Sequence, residues 1–132
     1  MKEIKQLLGP MRVPFLVLPP VCVLLGVGTA VWTDGPINLL SLVLAFIGAL
    51  AAHISVNALN EYFDFKSGLD FRTRRTPFSG GSGTLPANPA MARSALHIGL
   101  ITAVITALVG LYFLLTRGWA LLPIGLLGLA LI

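Results

Sequence analysis

The chain has 132 residues, 56% of them hydrophobic and 11% charged, with a formal net charge of +4. A soluble domain carries roughly 25% charged residues, and the long apolar runs here lack the polar outer face that each helix of a soluble bundle presents. Composition therefore excludes a soluble globular domain and points to an all-α integral membrane protein. The positive charge needs no nucleic acid partner, because the basic residues lie in the links between apolar runs, where membrane topology puts them. Cys22 is the single cysteine, so an intrachain disulfide is excluded; inside an apolar run it reads as an inert packed thiol.

In chain order, Met1 to Arg12 carries Lys2, Glu3, Lys5 and Arg12 with Leu7 and Leu8. It reads equally as a weakly amphipathic surface segment or a solvated basic tail. Val13 to Trp32 is the first predicted span, roughly 30 Å long at helical rise and too long for a typical signal-peptide core. Pro14, Pro19 and Pro20 are expected to kink it, and Trp32 to anchor its far interface. After a turn at Thr33–Pro36, Ile37 to Leu59 forms the second span. Ser41, Ala45 and Ala49 give it a small-residue face, and His53 and Asn57 continue that spacing in polar residues. Asn60 to Asn88 is a polar link, mostly loop by its Gly, Ser and Pro content. Asn88-Pro89 suits a helix start. Ala95 to Thr116 is the third span, with Gly99, Ala103 and Ala107 as a second small face. Arg117-Gly118 makes a turn, and Trp119 to Ile132 begins a fourth span that provides only about 21 Å. The expectation is one transmembrane domain of about four helices, the fourth truncated.

Orientation follows from the basic residues. Lys2, Lys5, Arg12, Lys66, Arg72, Arg74, Arg75 and Arg93 fall on one side and Arg117 on the other. This predicts a cytoplasmic N-terminus and a cytoplasmic Asn60–Asn88 loop, in the cell membrane if the source is bacterial.

The stretch Asn57 to Gly83 concentrates charge in an otherwise apolar chain. At 100° per residue, His53, Asn57, Asn60 and Asp64 share one helix face, and Asp70 returns to them after Gly68 lets the chain turn. An amide oxygen and two carboxylates are hard donors of the kind Mg²⁺ takes beside water and phosphate oxygens. Lys66, Arg72, Arg74 and Arg75 can surround a diphosphate. Ser79 and Ser82, in the S-G-G-S-G run, can bring hydroxyls and backbone N–H groups to an anion, although the run alone reads as a flexible linker and is no Walker loop. Each residue taken singly also fits an interfacial helix end with basic anchors. Glu61 is expected to be solvated or paired with an arginine, His53 to be a hydrogen-bonded packing residue, and His97 to be structural.

N60-E-Y-F-D64-F-K-S-G-L-D70 resembles the first aspartate-rich motif of the UbiA superfamily of intramembrane prenyltransferases. The gap to Asp70 and the R75-T-P-F-S-G-G-S-G run resemble its 1,4-dihydroxy-2-naphthoate polyprenyltransferase branch, of menaquinone biosynthesis. The resemblance implies that Asn60, Asp64 and Asp70 bind Mg²⁺ and act in catalysis. Asn57, Lys66, Arg72, Arg74, Arg75, Ser79 and Ser82 would then bind a polyprenyl diphosphate, whose ionised prenyl group is attacked by an aromatic acceptor, with the isoprenoid tail lying among helices open to the bilayer. It also implies a bundle of about nine helices with a second aspartate motif. Nothing after Asp70 is acidic, so the chain resembles the N-terminal portion of that bundle, its partner being the missing C-terminal half, and alone is expected to have little or no transferase activity. The competing readings are a non-catalytic truncated membrane protein and a membrane CDP-alcohol phosphotransferase. The latter needs a denser acidic motif than this one.

Overall fold

The computed structural model describes residues 8–76 and 80–132, so Lys2, Lys5 and Ser79 lie outside the described residues. The described residues are largely helical and contain no strand. A 3₁₀ turn at Val13–Val17 leads into α1 (Leu18–Asp34). There follow α2 (Leu39–Ser67), a 3₁₀ turn at Leu69–Phe71, the single-turn α3 (Thr84–Ala87), a 3₁₀ turn at Pro89–Met91, α4 (Ala92–Arg117), a 3₁₀ turn at Trp119–Leu121 and α5 (Leu122–Ala130). Three stretches, Val13–Asp34, Leu39–Ser67 and Pro89–Arg117, are long and apolar enough to cross a membrane, and Trp119–Ala130 is shorter. The protein is an all-α membrane protein. Its exterior agrees: Trp32, Leu25 and Leu115 are more than two-thirds exposed, a surface that water would disfavour and lipid would cover.

The helix ends follow local chemistry. The prolines expected to kink the first span instead start it. Pro14 lies in the 3₁₀ turn and Pro19 and Pro20 in the first turn of α1, where no intrahelical partner exists for the N–H that proline lacks. Asn38 caps α2, its Oδ1 accepting the Ser41 N–H at 3.0 Å. At the other end α2 runs on to Ser67, so the first eight residues of the link read as loop are helical. Gly68, at φ 80°, then ends the helix in the left-handed conformation. The 3₁₀ turn that follows folds Asp70 back to a position where only 5% of it is exposed.

The core is the antiparallel pair α2 and α4. A Cβ on Gly48 would lie 2.8 Å from Val109 Cγ1, and one on Gly99 would lie 2.6 Å from Leu59 Cδ2. The two backbones thus approach as closely as hydrogen side chains allow. Ser55 Oγ donates to the Gly99 carbonyl at 2.8 Å across this seam. On α2 the buried positions are Gly48, Ala51, Ser55, Ala58 and Glu61. The face expected from Ser41, Ala45 and Ala49 is displaced from this seam. Ala49 and Ala107 line a groove beside it, and Ser41 accepts a hydrogen bond from Arg117 Nη2 at 3.1 Å. Cys22 is exposed on the same groove rather than packed.

Candidate functional site

The last three turns of α2 carry the polar residues. Asn57, Asn60, Glu61 and Asp64 are spaced i, i+3, i+4 and i+7, which puts them on one face of the helix. That face borders a cavity of about 350 Å³, which Asp70 also lines from the following turn and Arg12 from the start of the chain. The three predicted oxygen donors Asn60, Asp64 and Asp70, and Asn57, predicted to bind substrate, are therefore brought to one cavity. Asn60 is exposed, Asp64 half-buried and Asp70 buried. Asn57 fixes its amide by donating from Nδ2 to the His53 carbonyl at 2.8 Å.

Asp70 is the electrostatic focus. Its Oδ2 is buried and has no hydrogen-bond partner among the described residues. Burial pushes its carboxyl above the ordinary carboxylate range, the charges of Glu61 and Asp64 push the same way, and Arg75 opposes them. A buried acceptor without a donor is costly. A cation, or a ligand carrying one, entering the cavity would remove that cost. The donors are all oxygen, which suits a hard cation. Among the described residues, no group of three or more His, Cys, Asp and Glu side chains is arranged to hold a metal. An ion here would have to take most of its shell from water or from an anionic ligand.

The other predicted residues divide. Arg75 is exposed and does not itself line the cavity, but it abuts a residue that does: a Cβ on Gly80 would lie 3.0 Å from Arg75 Cα. Lys66, Arg72 and Arg74 are exposed and do not line the cavity. Ser82 is already engaged, its N–H donating to Glu61 Oε2 at 2.9 Å and Oε1 at 3.1 Å and its hydroxyl to Oε1. Among the described residues Glu61 is thus held by Ser82 rather than solvated or paired with an arginine. It is 3% exposed and holds the glycine-rich loop. The sequence signal was its place three residues beyond Ala58 on the buried stripe of α2. Arg12 was also missed as a cavity residue. It reads with the N-terminal segment, as part of an amphipathic surface stretch or a solvated basic tail, and its left-handed backbone (φ 48°) is visible only in three dimensions.

A second space of about 710 Å³ adjoins the first. It is an apolar groove walled by α1, α2, α4 and α5, with Leu18, Val56, Leu114 and Leu122 among its lining. Asn57 lines both spaces, so the polar cavity and the apolar groove meet at that side chain. His53 also lines the groove, and its Nε2 is buried without a hydrogen-bond partner among the described residues, so the expected hydrogen-bonded packing role is not what the structure gives it. His97 is exposed and lines neither space.

Over 94 residues, 71% of this chain, the sequence is 32% identical to a 1,4-dihydroxy-2-naphthoate octaprenyltransferase of Bacillus subtilis. The matched stretch is 29% of that relative, so the chain spans less than a third of its length. No family model matches the chain. No solved structure matches it either.

Proposed function

We propose that this chain binds the diphosphate of a polyprenyl diphosphate and serves transfer of the polyprenyl group to an aromatic acceptor, of the 1,4-dihydroxy-2-naphthoate kind used in menaquinone biosynthesis. The observation that carries this reading is the junction at Asn57, where a polar cavity lined by Asn60, Asp64 and Asp70 meets an apolar groove. A polyprenyl diphosphate has the same two-part character, a polyanion joined to a hydrocarbon. The partial likeness to a 1,4-dihydroxy-2-naphthoate octaprenyltransferase and the N60-E-Y-F-D64 motif support the same chemistry, that of a UbiA-type transferase.

Asn60, Asp64 and Asp70 are the residues that would hold Mg²⁺. The unpartnered Asp70 Oδ2 and the sparse protein donor set both fit an ion that shares its shell with phosphate oxygens. When bound, Mg²⁺ would supply Lewis-acid stabilisation of charge on the departing diphosphate. This chain's own residues would contribute binding and positioning. Asn57 marks where headgroup gives way to tail, the groove holds the hydrocarbon away from water, and Arg75 lends positive charge beside the cavity. Lys66, Arg72 and Arg74, exposed nearby, raise the local concentration of polyanions by long-range attraction. Departure of the diphosphate with its bonding electrons leaves an allylic cation, which the electron-rich ring attacks before losing a proton. The asymmetry of basic residues supports a site facing the cytoplasm.

The test is equilibrium binding of farnesyl thiolodiphosphate to the chain in lipid nanodiscs. Affinity should require Mg²⁺, and the isosteric Asp64→Asn should weaken it by roughly tenfold or more while circular dichroism stays unchanged, as expected when one charge-assisted contact is lost. Equal affinity in EDTA, or in the variant, would refute the assignment.

A further inference from the structure

Glu61 lies among the proposed metal donors in sequence and lines the same cavity, yet both of its carboxylate oxygens are taken up by Ser82. Both oxygens accept from the Ser82 backbone N–H, and Oε1 also accepts from the Ser82 hydroxyl. The contact continues outward, because Ser82 Oγ accepts the Thr84 N–H at 3.0 Å and lies 2.8 Å from Thr84 Oγ1. Thr84 Oγ1 in turn packs directly against Gly9. Leu85, fully buried, fixes the turn that follows. The held segment forms a wall of the site. Gly81 (φ 72°) sits so close to the carboxylates that an added Cβ would lie 2.8 Å from Asp70 Oδ1 and 3.4 Å from Glu61 Oε2. Gly81 and Arg12 also line a neighbouring cavity of about 500 Å³ between the loop and the start of the chain, so the loop divides two spaces.

We propose that Glu61 is a positioning residue, a clasp whose carboxylate holds the Gly80–Gly83 loop closed over Asp70 and so keeps the polar cavity separate from the neighbouring space lined by Leu8, Phe15 and Thr76. It acts through Ser82 and leaves the ligand shell to Asn60, Asp64 and Asp70. Its effect on ligand affinity rests on the polyprenyl-diphosphate reading, whereas its effect on the loop does not. The physical basis is that a buried carboxylate without its donors would be strongly unfavourable. Loop closure and burial of Glu61 therefore occur together.

The clasp is tested without ligand by amide hydrogen exchange of the full chain in nanodiscs. Glu61→Ala should speed exchange across residues 80–83 by roughly tenfold or more, the opening expected on losing charge-assisted hydrogen bonds. Glu61→Gln, which keeps one acceptor oxygen, should restore part of the protection. Ser82→Ala, which removes only the hydroxyl donor, should give an intermediate effect and serves as the second variant should Glu61→Ala fail to fold. Wild-type exchange at residues 80–83 in folded Glu61→Ala, or in Ser82→Ala when only that variant folds, would overturn the proposal. With Mg²⁺ and farnesyl thiolodiphosphate, Glu61→Ala and Ser82→Ala should both weaken binding, and the double variant should be no weaker than Glu61→Ala alone. Additive losses, or a loss confined to Glu61→Ala, would make Glu61 a ligand rather than a clasp. Should the wild-type chain show no Mg²⁺-dependent binding, the polyprenyl-diphosphate reading fails and exchange alone decides the clasp.

Discussion

Asp70 is destabilised where it stands, because its buried Oδ2 has no hydrogen-bond donor among the described residues and lies in the field of Glu61 and Asp64. With its folded pKa raised above the unfolded value, the folded state keeps this proton to higher pH than the unfolded chain does. Stability is then greatest below the ordinary carboxylate pKa and falls as pH rises through the window up to the raised folded value. Without divalent cations, Asp70→Asn should therefore raise Tm above that window and leave it unchanged below. Added Mg²⁺ should raise the Tm of the wild type more than that of the variant. A thermal-melt series across pH, with and without Mg²⁺, checks both. At the same scale, Gly81→Ala should destabilise the loop by about 1–2 kcal/mol from left-handed strain alone, and more from the 2.8 Å approach to Asp70 Oδ1; denaturant unfolding measures this. Asn60, Asp64 and Asp70 were legible as a set because helical spacing and one glycine turn suffice to bring them together. Glu61 was misread because an acidic residue beside arginines usually stays in water. Its real donors, the Ser82 N–H and hydroxyl, lie 21 residues away, a separation that no local pattern bridges.

At the scale of elements, α2 does two jobs along its 29 residues. Its first two-thirds packs against α4, and its last turns present the site, so the seam sets where the site stands. The sequence showed small residues on both helices and picked out Gly99, which the seam buries, but the α2 face it offered, Ser41, Ala45 and Ala49, is out of register with the buried positions. Positions four apart, such as Ser41, Ala45 and Ala49, advance 40° around the helix at each step. Gly48, Ala51, Ser55 and Ala58 alternate steps of three and four and stay facing the partner. Glu61 continues that stripe. The seam register predicts that Gly99→Ala, whose Cβ would press on Leu59, should destabilise the helix pair by about 1–3 kcal/mol through overpacking. Gly110→Ala, with nothing within 4 Å of its Cβ, should be neutral or stabilising. Thermal unfolding of the two variants in one detergent makes the comparison.

At the scale of the molecule, the three long apolar helices and the shorter one enclose little of their own surface. The chain's apolar faces are instead turned to lipid and to the 710 Å³ groove. The all-α membrane architecture was legible because 20-residue apolar runs admit few alternatives. The groove was not legible, because it is the space left among four helices whose relative placement depends on the close approaches at Gly48 and Gly99. On the proposed function, cavity and groove form one composite site, joined at Asn57. The most direct measurement is photolabelling of the chain in nanodiscs with a polyprenyl diphosphate carrying a diazirine on its tail, followed by mapping of the modified residues. Mg²⁺-dependent labelling of groove residues such as Leu114 and Leu122 is expected, lost with EDTA, with excess inorganic diphosphate and in Asp64→Asn. Groove labelling that persists unchanged under all three conditions, or labelling confined to the lipid-facing surface, would contradict it.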